Sequence, residues 1–402
     1  MLGSIYIGMS GMTSYSRGLD LISNNVANLN TPGFKVGESV FGDLLYRNGS
    51  GAIDGSGGAS IGGAGVSVDT SRQDFSEGQM QQTGNPLDAA VDGDGFFVLQ
   101  RDDGLVFTRA GQFEFDKDGN LVEHTTQAKV LVSTASSAAT TFNQSGYRVS
   151  PPKATTEVDL AGSLTQTGTN TFDLTNVDVI DTSGAQQVLE AKFTRDDTDP
   201  MTWDVNVLNS GGTVLGSGTV TFNVDGTPAD GKNQFSVSVT PAGLPAFSVS
   251  FNIGAVGSFA GVTSLASSTQ STVSVTKQDG LTLGTLSQVS FDDRGRITLA
   301  YSNGQTLTPA TLLLAQFSAP NELRSLGGSL FSTADSRDAN LADPQSGGRG
   351  RIVGGSLEMS NVNLTQQFSD LIILQRGYQA SSQMTSVANE MIQQLLAMGQ
   401  QK

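Results

Sequence analysis

The chain has 402 residues and no cysteine, with 22 Lys and Arg against 38 Asp and Glu for a formal net charge of −16. The missing cysteine excludes a disulfide scaffold, Cys-based metal sites and Cys nucleophiles. The acidic balance disfavours nucleic acid and anionic membranes, which call for basic patches, and no uninterrupted apolar run approaches the roughly 18 residues of a membrane-spanning helix. The opening Met1-Leu2-Gly3-Ser4-Ile5-Tyr6-Ile7-Gly8 has neither a basic segment nor a compact apolar one, so it does not read as a cleavable signal peptide.

The first element, residues 1–34, is predicted helical. Ile5, Met12, Leu19 and Val26 recur at heptad spacing, and Gly8, Tyr15, Ile22 and Leu29 complete an a/d alternation. Asn30-Thr31-Pro32-Gly33 should end the helix, because Pro disfavours helical geometry before it and Gly supplies a turn. Residues 35–65 are rich in glycine, above all from 47 onward, and are expected to form a flexible linker.

From 66 to 355 short Val/Thr/Phe/Leu runs alternate with Gly, Asn and Asp, the pattern of all-β domains. Three turns share one form: Phe115 to Leu121, Phe222 to Pro228 and Phe291 to Ile297 each set a polar, Gly-containing turn between apolar flanks. Composition shifts near residues 133–141, at Pro151-Pro152-Lys153 and over 263–276 suggest two nested β domains. The first would comprise 66–135 and 276–355, and the second, 136–275, would be inserted into it. A last helix is predicted within 356–402. Leu364, Leu371, Tyr378 and Ile392 share one heptad position; Leu374, Ala388 and Leu395 share another; Met384, Met391 and Met398 add a second stripe. Asn363 and Gln366 have capping-box spacing. The expected fold is therefore mainly β with helical termini that pair as a coiled coil.

The two ends are poor in charge. Up to Phe34 only Arg17 and Asp20 carry charged side chains; from Met359 to Gln401 only Asp370, Arg376 and Glu390 do. A solvated helix keeps charges opposite its apolar stripe, whereas a helix with few charges anywhere is covered on several sides. Gly3, Gly8, Gly11 and Gly18 each cost about 0.5–1 kcal/mol relative to Ala within a helix, so this helix should depend on packing. Pairing of the ends within one molecule would bury one seam. Self-assembly would cover the remaining faces.

The middle nominates no chemistry. Asp92-Gly93-Asp94-Gly95 and Asp116-Lys117-Asp118-Gly119-Asn120 lack the glycine and glutamate positions of a calcium loop and read as turns. His124 has no second His or Cys beside it, and no GxGxxG precedes a helix. No catalytic, metal or cofactor residue is nominated, and an enzyme is not expected. A secreted β-rich adhesin or polysaccharide hydrolase would account for the middle but not for the ends.

Three long motifs carry a family resemblance. Gly8-Met9-Ser10-Gly11-Met12, followed by the run from Leu19 through Asn24, Asn25, Asn28, Pro32, Gly33 and Phe34 to Lys35, resembles the N-terminal signature of flagellar rod and hook proteins. Phe75-Ser76-Glu77-Gly78, then Gly84 and Asn85, then Gly95, Phe96 and Phe97, is similar to their next motif. Leu357-Glu358-Met359 with Ser360, Asn361 and Val362, then Gln375, Arg376 and Tyr378, matches the last. The resemblance covers both ends and the first β domain, not the insert. It implies a torque-transmitting tubular homopolymer around an export channel, with the terminal helices inside, the first β domain around them and the insert outside. It also implies export by the flagellar type III apparatus without a cleaved signal, an extracellular location, and rod, hook-cap and hook–filament junction proteins as neighbours. Length and insert point to a hook subunit. The Phe41-Gly42-Asp43-Leu44-Leu45-Tyr46 run with its Gly-rich extension is similar to a distal-rod subunit.

Overall fold

The structure is a computed structural model that describes all residues except 1, 45–46, 49–60, 63–64, 168, 242, 267–269, 334–338 and 400–402. The chain forms two compact units. The first comprises Met1–Ser145, Val289–Thr298 and Thr308–Lys402; the second comprises Gly146–Gln288 and Leu299–Leu307. The second unit's main segment begins and ends later in the chain than the 136–275 expected for the insert.

In the first unit, helix α1 spans Leu2–Ala27. It stops where the Asn28 amide group folds back onto the Asn24 carbonyl (2.9 Å) and side chain (3.1 Å), and Gly33 then turns the chain at φ +68°. Helix α2 spans Leu364–Gly399. Asn363 caps it, its Oδ1 accepting from the Thr365 and Gln366 amides at 3.0 and 3.3 Å. The reciprocal half of the expected capping box is not made, because the Gln366 amide group donates forward to Asp370 at 2.9 Å.

The helices pack antiparallel, and the seam is built from small residues. A Cβ at Gly11 would lie 2.7 Å from Ser381 Oγ, and one at Gly18 2.8 Å from Leu374 Cδ1. A Cβ at Gly377 would lie 2.5 Å from the Tyr15 ring. The helical glycines are therefore points of close approach. Of the heptad positions, Ile22, Leu374 and Ala388 are buried, and Ile5, Met12, Leu19, Val26, Leu29, Leu371 and Ile392 are half-buried. Leu364, Tyr378 and Leu395 are exposed, against the coiled-coil expectation. On α2 the seam keeps the predicted positions Leu374 and Ala388 and adds Gln367, Gly377, Ser381 and Thr385. Of the two predicted heptad positions on α2, that of Leu374 and Ala388 faces α1, where Gly18 leaves room for the Leu374 side chain while Gly8 and Gly11 approach Thr385 and Ser381.

Part of the expected linker is also ordered. Strand Gly37–Asp43 pairs antiparallel with Val66–Gln73, and the hairpin lies on α1, with the Tyr15 and Phe41 rings 5.5 Å apart and Ser14 Oγ donating to the Val66 carbonyl at 3.1 Å. Most of the glycine-rich stretch, 49–60, lies outside the described residues.

The β part of the first unit is a meandering sheet. Strands Lys129–Thr134, Phe96–Arg101, Gly104–Thr108, Leu330–Ser332 and Arg324–Gly327 lie side by side in that order, each pair antiparallel. Phe96, Val98, Phe107, Leu131, Phe317 and Phe331 fill its core, and the rings meet edge to face, as at Phe107 and Phe317 (4.8 Å). Two shorter pairs join distant parts of the chain: Ala89–Asp92 with Arg351–Gly354, and Met80–Gln82 with Ser356–Glu358.

The second unit has a four-stranded antiparallel sheet in chain order, Thr171–Ile180, Gln186–Arg195, Thr202–Asn209 and Val214–Thr221. A mixed sheet orders Gln234–Val239, Phe247–Asn252, Glu157–Thr165 and Val262–Leu265, with Ser274–Gln278 also on Glu157–Thr165. Both line one core around Trp203, Phe193 and Phe251, fed by strict alternation such as that of Gln234–Val239.

Candidate assembly surface

The motif residues divide by role. One group anchors the helix pair to the β part of the first unit. Asn25, on the buried side of α1, brackets Gly37: its Nδ2 donates to the Gly37 carbonyl (2.8 Å) and its Oδ1 accepts from the Gly37 amide (3.0 Å). The same Nδ2 reaches Gln367 Oε1 on α2 at 2.9 Å. Asn361 does the equivalent from the C-terminal arm, accepting from Val36 N (2.8 Å) and donating to the Asp74 and Ser76 carbonyls (2.9 and 3.2 Å). Ser360 and Val362 are buried beside it.

Between these clamps lies a charge cluster. Lys35 Nζ is 2.7 Å from Glu358 Oε1, and Arg109 Nη1 is 3.3 Å from Glu358 Oε2. The side chains of Lys35, Glu358 and Arg109 are 1%, 1% and 3% exposed. Lys35 also donates to the Ser76 carbonyl (2.6 Å), the Gly78 amide donates to Glu358 Oε1 (2.9 Å), and the Arg109 guanidinium sits 5.1 Å from the Phe96 ring centre. Burial pulls the Lys35 ammonium below its ordinary value, against the opposing attraction of Glu358. In the sequence Lys35 and Glu358 stand within motifs that assign them no role, and Arg109 stands in none. The available signal is Lys35 itself, the first charge after the long uncharged stretch that follows Asp20.

A second group shapes turns and core. Pro32 offers its carbonyl to Ser329 Oγ (3.3 Å), and Phe34 is half-buried. Gly84 takes φ +76°, and Asn85 Nδ2 donates to Asp88 Oδ1 at 3.0 Å. Gly95 takes φ +137° beside Leu314, while Phe96 and Phe97 are buried. The Asp116 carboxylate is occupied by the Asp118 and Asn120 amides (2.9 and 2.7 Å), a turn rather than an open ligand set. His124 lies at the surface, its Nδ1 2.7 Å from Glu114.

The third group faces outward on α2. Gln375, Arg376 and Tyr378 are exposed, along with Leu364, Phe368, Ile372, Ile373, Met384, Val387, Met391, Leu395 and Met398. Tyr6, Ile7 and Met9 are exposed on α1. Isolated exposed apolar residues are ordinary, but a run of them along one helix marks an interaction face. No helix among the described residues is long and apolar enough to cross a membrane, so lipid does not explain this face as a span.

Three family models match the chain: flagella basal body rod protein over residues 5–35, flagellar hook protein FlgE/F/G D1 domain over 90–169, and flagellar basal body rod FlgEFG protein C-terminal over 353–398. Relatives match it from end to end. The flagellar hook protein FlgE of Borreliella burgdorferi is 29% identical over 98% of this chain and 99% of its own; that of Treponema pallidum is 29% identical over 99% and 100%.

The chain is similar to flagellar hook proteins over nearly its whole length.

The flagellar hook protein FlgE of Escherichia coli is likewise 29% identical, over 96% of this chain and 98% of its own. Among solved structures, the flagellar hook protein FlgE2 of Helicobacter pylori aligns with 68% of this chain and 98% of its own at 13% identity and a TM-score of 0.48. The matches to rod and hook models at both ends fall on α1 with its exit turn and on α2 with the arm that carries Glu358 and Asn361.

Proposed function

We propose that this chain is the repeating structural subunit of a flagellar hook, polymerising through the outer faces of its paired helices into a bendable tube that transmits torque and surrounds the export channel. The observation that carries the reading is the run of exposed apolar residues on α2, a helix of 36 residues whose charged side chains are Asp370, Arg376 and Glu390 alone. Full burial of one such side chain contributes about 1.5–3 kcal/mol, so a few of them, less the cost of ordering the chain, can drive association. Head-to-tail contacts that do not close generate an open helical polymer.

In this reading the helix pair lines the inner tube and the β part of the first unit surrounds it. The second unit is a domain inserted into the first and faces outward. The subunit leaves the cell through the flagellar type III apparatus and meets rod, hook-cap and junction proteins at the ends of the tube. End-to-end matching to hook proteins supports hook over rod.

Electron microscopy of the concentrated protein tests this. Curved tubes with one outward knob per subunit are expected. Straight, stiff tubes would indicate a rod, and a monomer at every concentration would overturn the reading.

A further inference from the structure

We propose that Glu358 is a closing latch: the first unit cannot complete its fold until residues 351–361 have docked, because only Glu358 makes Lys35 and Arg109 buriable. This inference concerns the single chain and does not depend on the polymer.

The geometry concentrates closure in one short stretch. Arg351–Gly354 pairs with Ala89–Asp92, and Ser356–Glu358 with Met80–Gln82. The Gly33 amide donates to the Glu358 carbonyl at 2.8 Å, and Asn361 bridges Val36 and Asp74. Glu358 commits one carboxylate oxygen to Lys35 and the other to Arg109. The two cations come from N-terminal segments, and each acts on the other unfavourably. Without Glu358, Lys35 keeps the Ser76 carbonyl, and Arg109 keeps the Val91 carbonyl and the Phe96 ring. None of these carries a full negative charge, and of the carboxylates that act on Lys35 only Asp74 remains, with a weaker pull than Glu358. Arg109 Nε is already buried without a hydrogen-bond partner.

Two cations with no carboxylate bonded to either cannot be buried at tolerable cost. A chain that has all of its N-terminal segments but not yet residue 358 therefore stays open around this cluster. Since synthesis delivers the N-terminal part first, the final tenth of the chain decides when the unit shuts. Buried ion clusters confer little net stability over an apolar replacement, yet removing one partner is severe. That asymmetry suits a device that sets order rather than one that adds stability. The second unit has its own core around Trp203, the single tryptophan, which reports on it separately.

The test is refolding of the full-length protein from urea with pulsed hydrogen exchange, read by mass spectrometry, alongside Trp203 fluorescence. In the unaltered chain, amides of Phe96–Arg101 and Lys129–Thr134 gain protection in the same phase as those of Arg351–Gly354. Glu358→Gln lowers protection of the first-unit strands by about a hundredfold or more while the Trp203 transition is unmoved. A variant whose first unit never gains protection while Trp203 becomes buried supports the latch equally. In the triple variant Lys35→Met, Arg109→Met, Glu358→Met, the strands of 96–134 gain protection ahead of 351–358. Protection of 96–101 before 351–354 in the unaltered chain would overturn the latch. So would full protection in Glu358→Gln, or an unchanged order in the triple variant.

Discussion

Asn25 and Gly37 exchange a reciprocal pair of hydrogen bonds, at 2.8 and 3.0 Å, so one side chain satisfies the backbone of the residue that opens the hairpin beneath α1. Asn25 is 1% exposed, so the bracket is shielded from solvent. Asn25→Ala should destabilise the first unit by about 1–3 kcal/mol, the cost of leaving buried backbone groups unpaired. Urea melting checks the size, and faster amide exchange at Gly37 locates the effect. Unchanged exchange there would show that the bracket is dispensable.

Replacing glycine by alanine in a helix ordinarily stabilises it. Here the sign should depend on position. A Cβ at Gly3 meets nothing within 4 Å, so Gly3→Ala should gain about 0.5–1 kcal/mol. Gly11→Ala drives a methyl into Ser381 Oγ at 2.7 Å and should cost about 1–3 kcal/mol through overpacking. Thermal melts of the two variants would decide. Stabilisation by both would mean the seam is looser than described.

Leu395 is half exposed in the single chain, whereas Leu374 is buried against Gly18. Leu395→Asp should leave monomer stability within about 0.5 kcal/mol and abolish tubes in sedimentation and microscopy. Leu374→Asp should destabilise the helix pair itself. Normal tubes from Leu395→Asp would place the assembly face elsewhere.

The single His124 titrates against Glu114. The hydrogen bond and charge of Glu114 raise its pKa above the ordinary 6.5. Its contribution to stability is therefore complete below the unfolded value and disappears as pH rises through the raised one. One imidazole signal in an NMR titration should give a midpoint above 6.5, and Glu114→Gln should bring it down. A midpoint that Glu114→Gln leaves in place would rule out this pairing in solution.

In the second unit, burial raises the Asp279 carboxyl, but donors outweigh it. Thr156 Oγ1 at 2.6 Å, the Glu157 amide at 2.9 Å, Lys153 at 2.9 Å and the Thr156 amide at 2.7 Å hold it well below the usual carboxylate range. The stability this supplies is present above the unfolded value of 3.8 and disappears as pH falls toward the folded one. Asp279→Asn should cost about 1.5–3 kcal/mol at neutral pH and flatten the acid limb of the Trp203 unfolding curve. An acid limb identical in both proteins would refute the assignment.

The ends were readable because local chemistry governs them: Asn30-Thr31-Pro32-Gly33 follows the end of α1, and Asn363 starts α2. Strand alternation was equally plain around Phe235 and Val237. The seam was readable only in part: heptad spacing found Leu374 and Ala388 but not Ser381 and Thr385, which Gly11 and Gly8 meet on a helix more than 340 residues away. The hairpin at Gly37–Asp43 was hidden by its neighbours' glycine content, since its order comes from packing on α1. Lys35, Arg109 and Glu358 meet only in three dimensions, and no periodicity points to such a triad.

A seam in which glycines meet serine, threonine and only a few large side chains gains much of its tightness from backbone proximity and removes less hydrocarbon from water than a leucine seam would. Separating α1 from α2 should accordingly carry a small heat-capacity increment, so calorimetry of the isolated subunit would be dominated by its β units. The helix pair would acquire a large thermal signature only when copies cover Ile372, Leu395 and their neighbours, making its melting point a property of the polymer rather than of the chain.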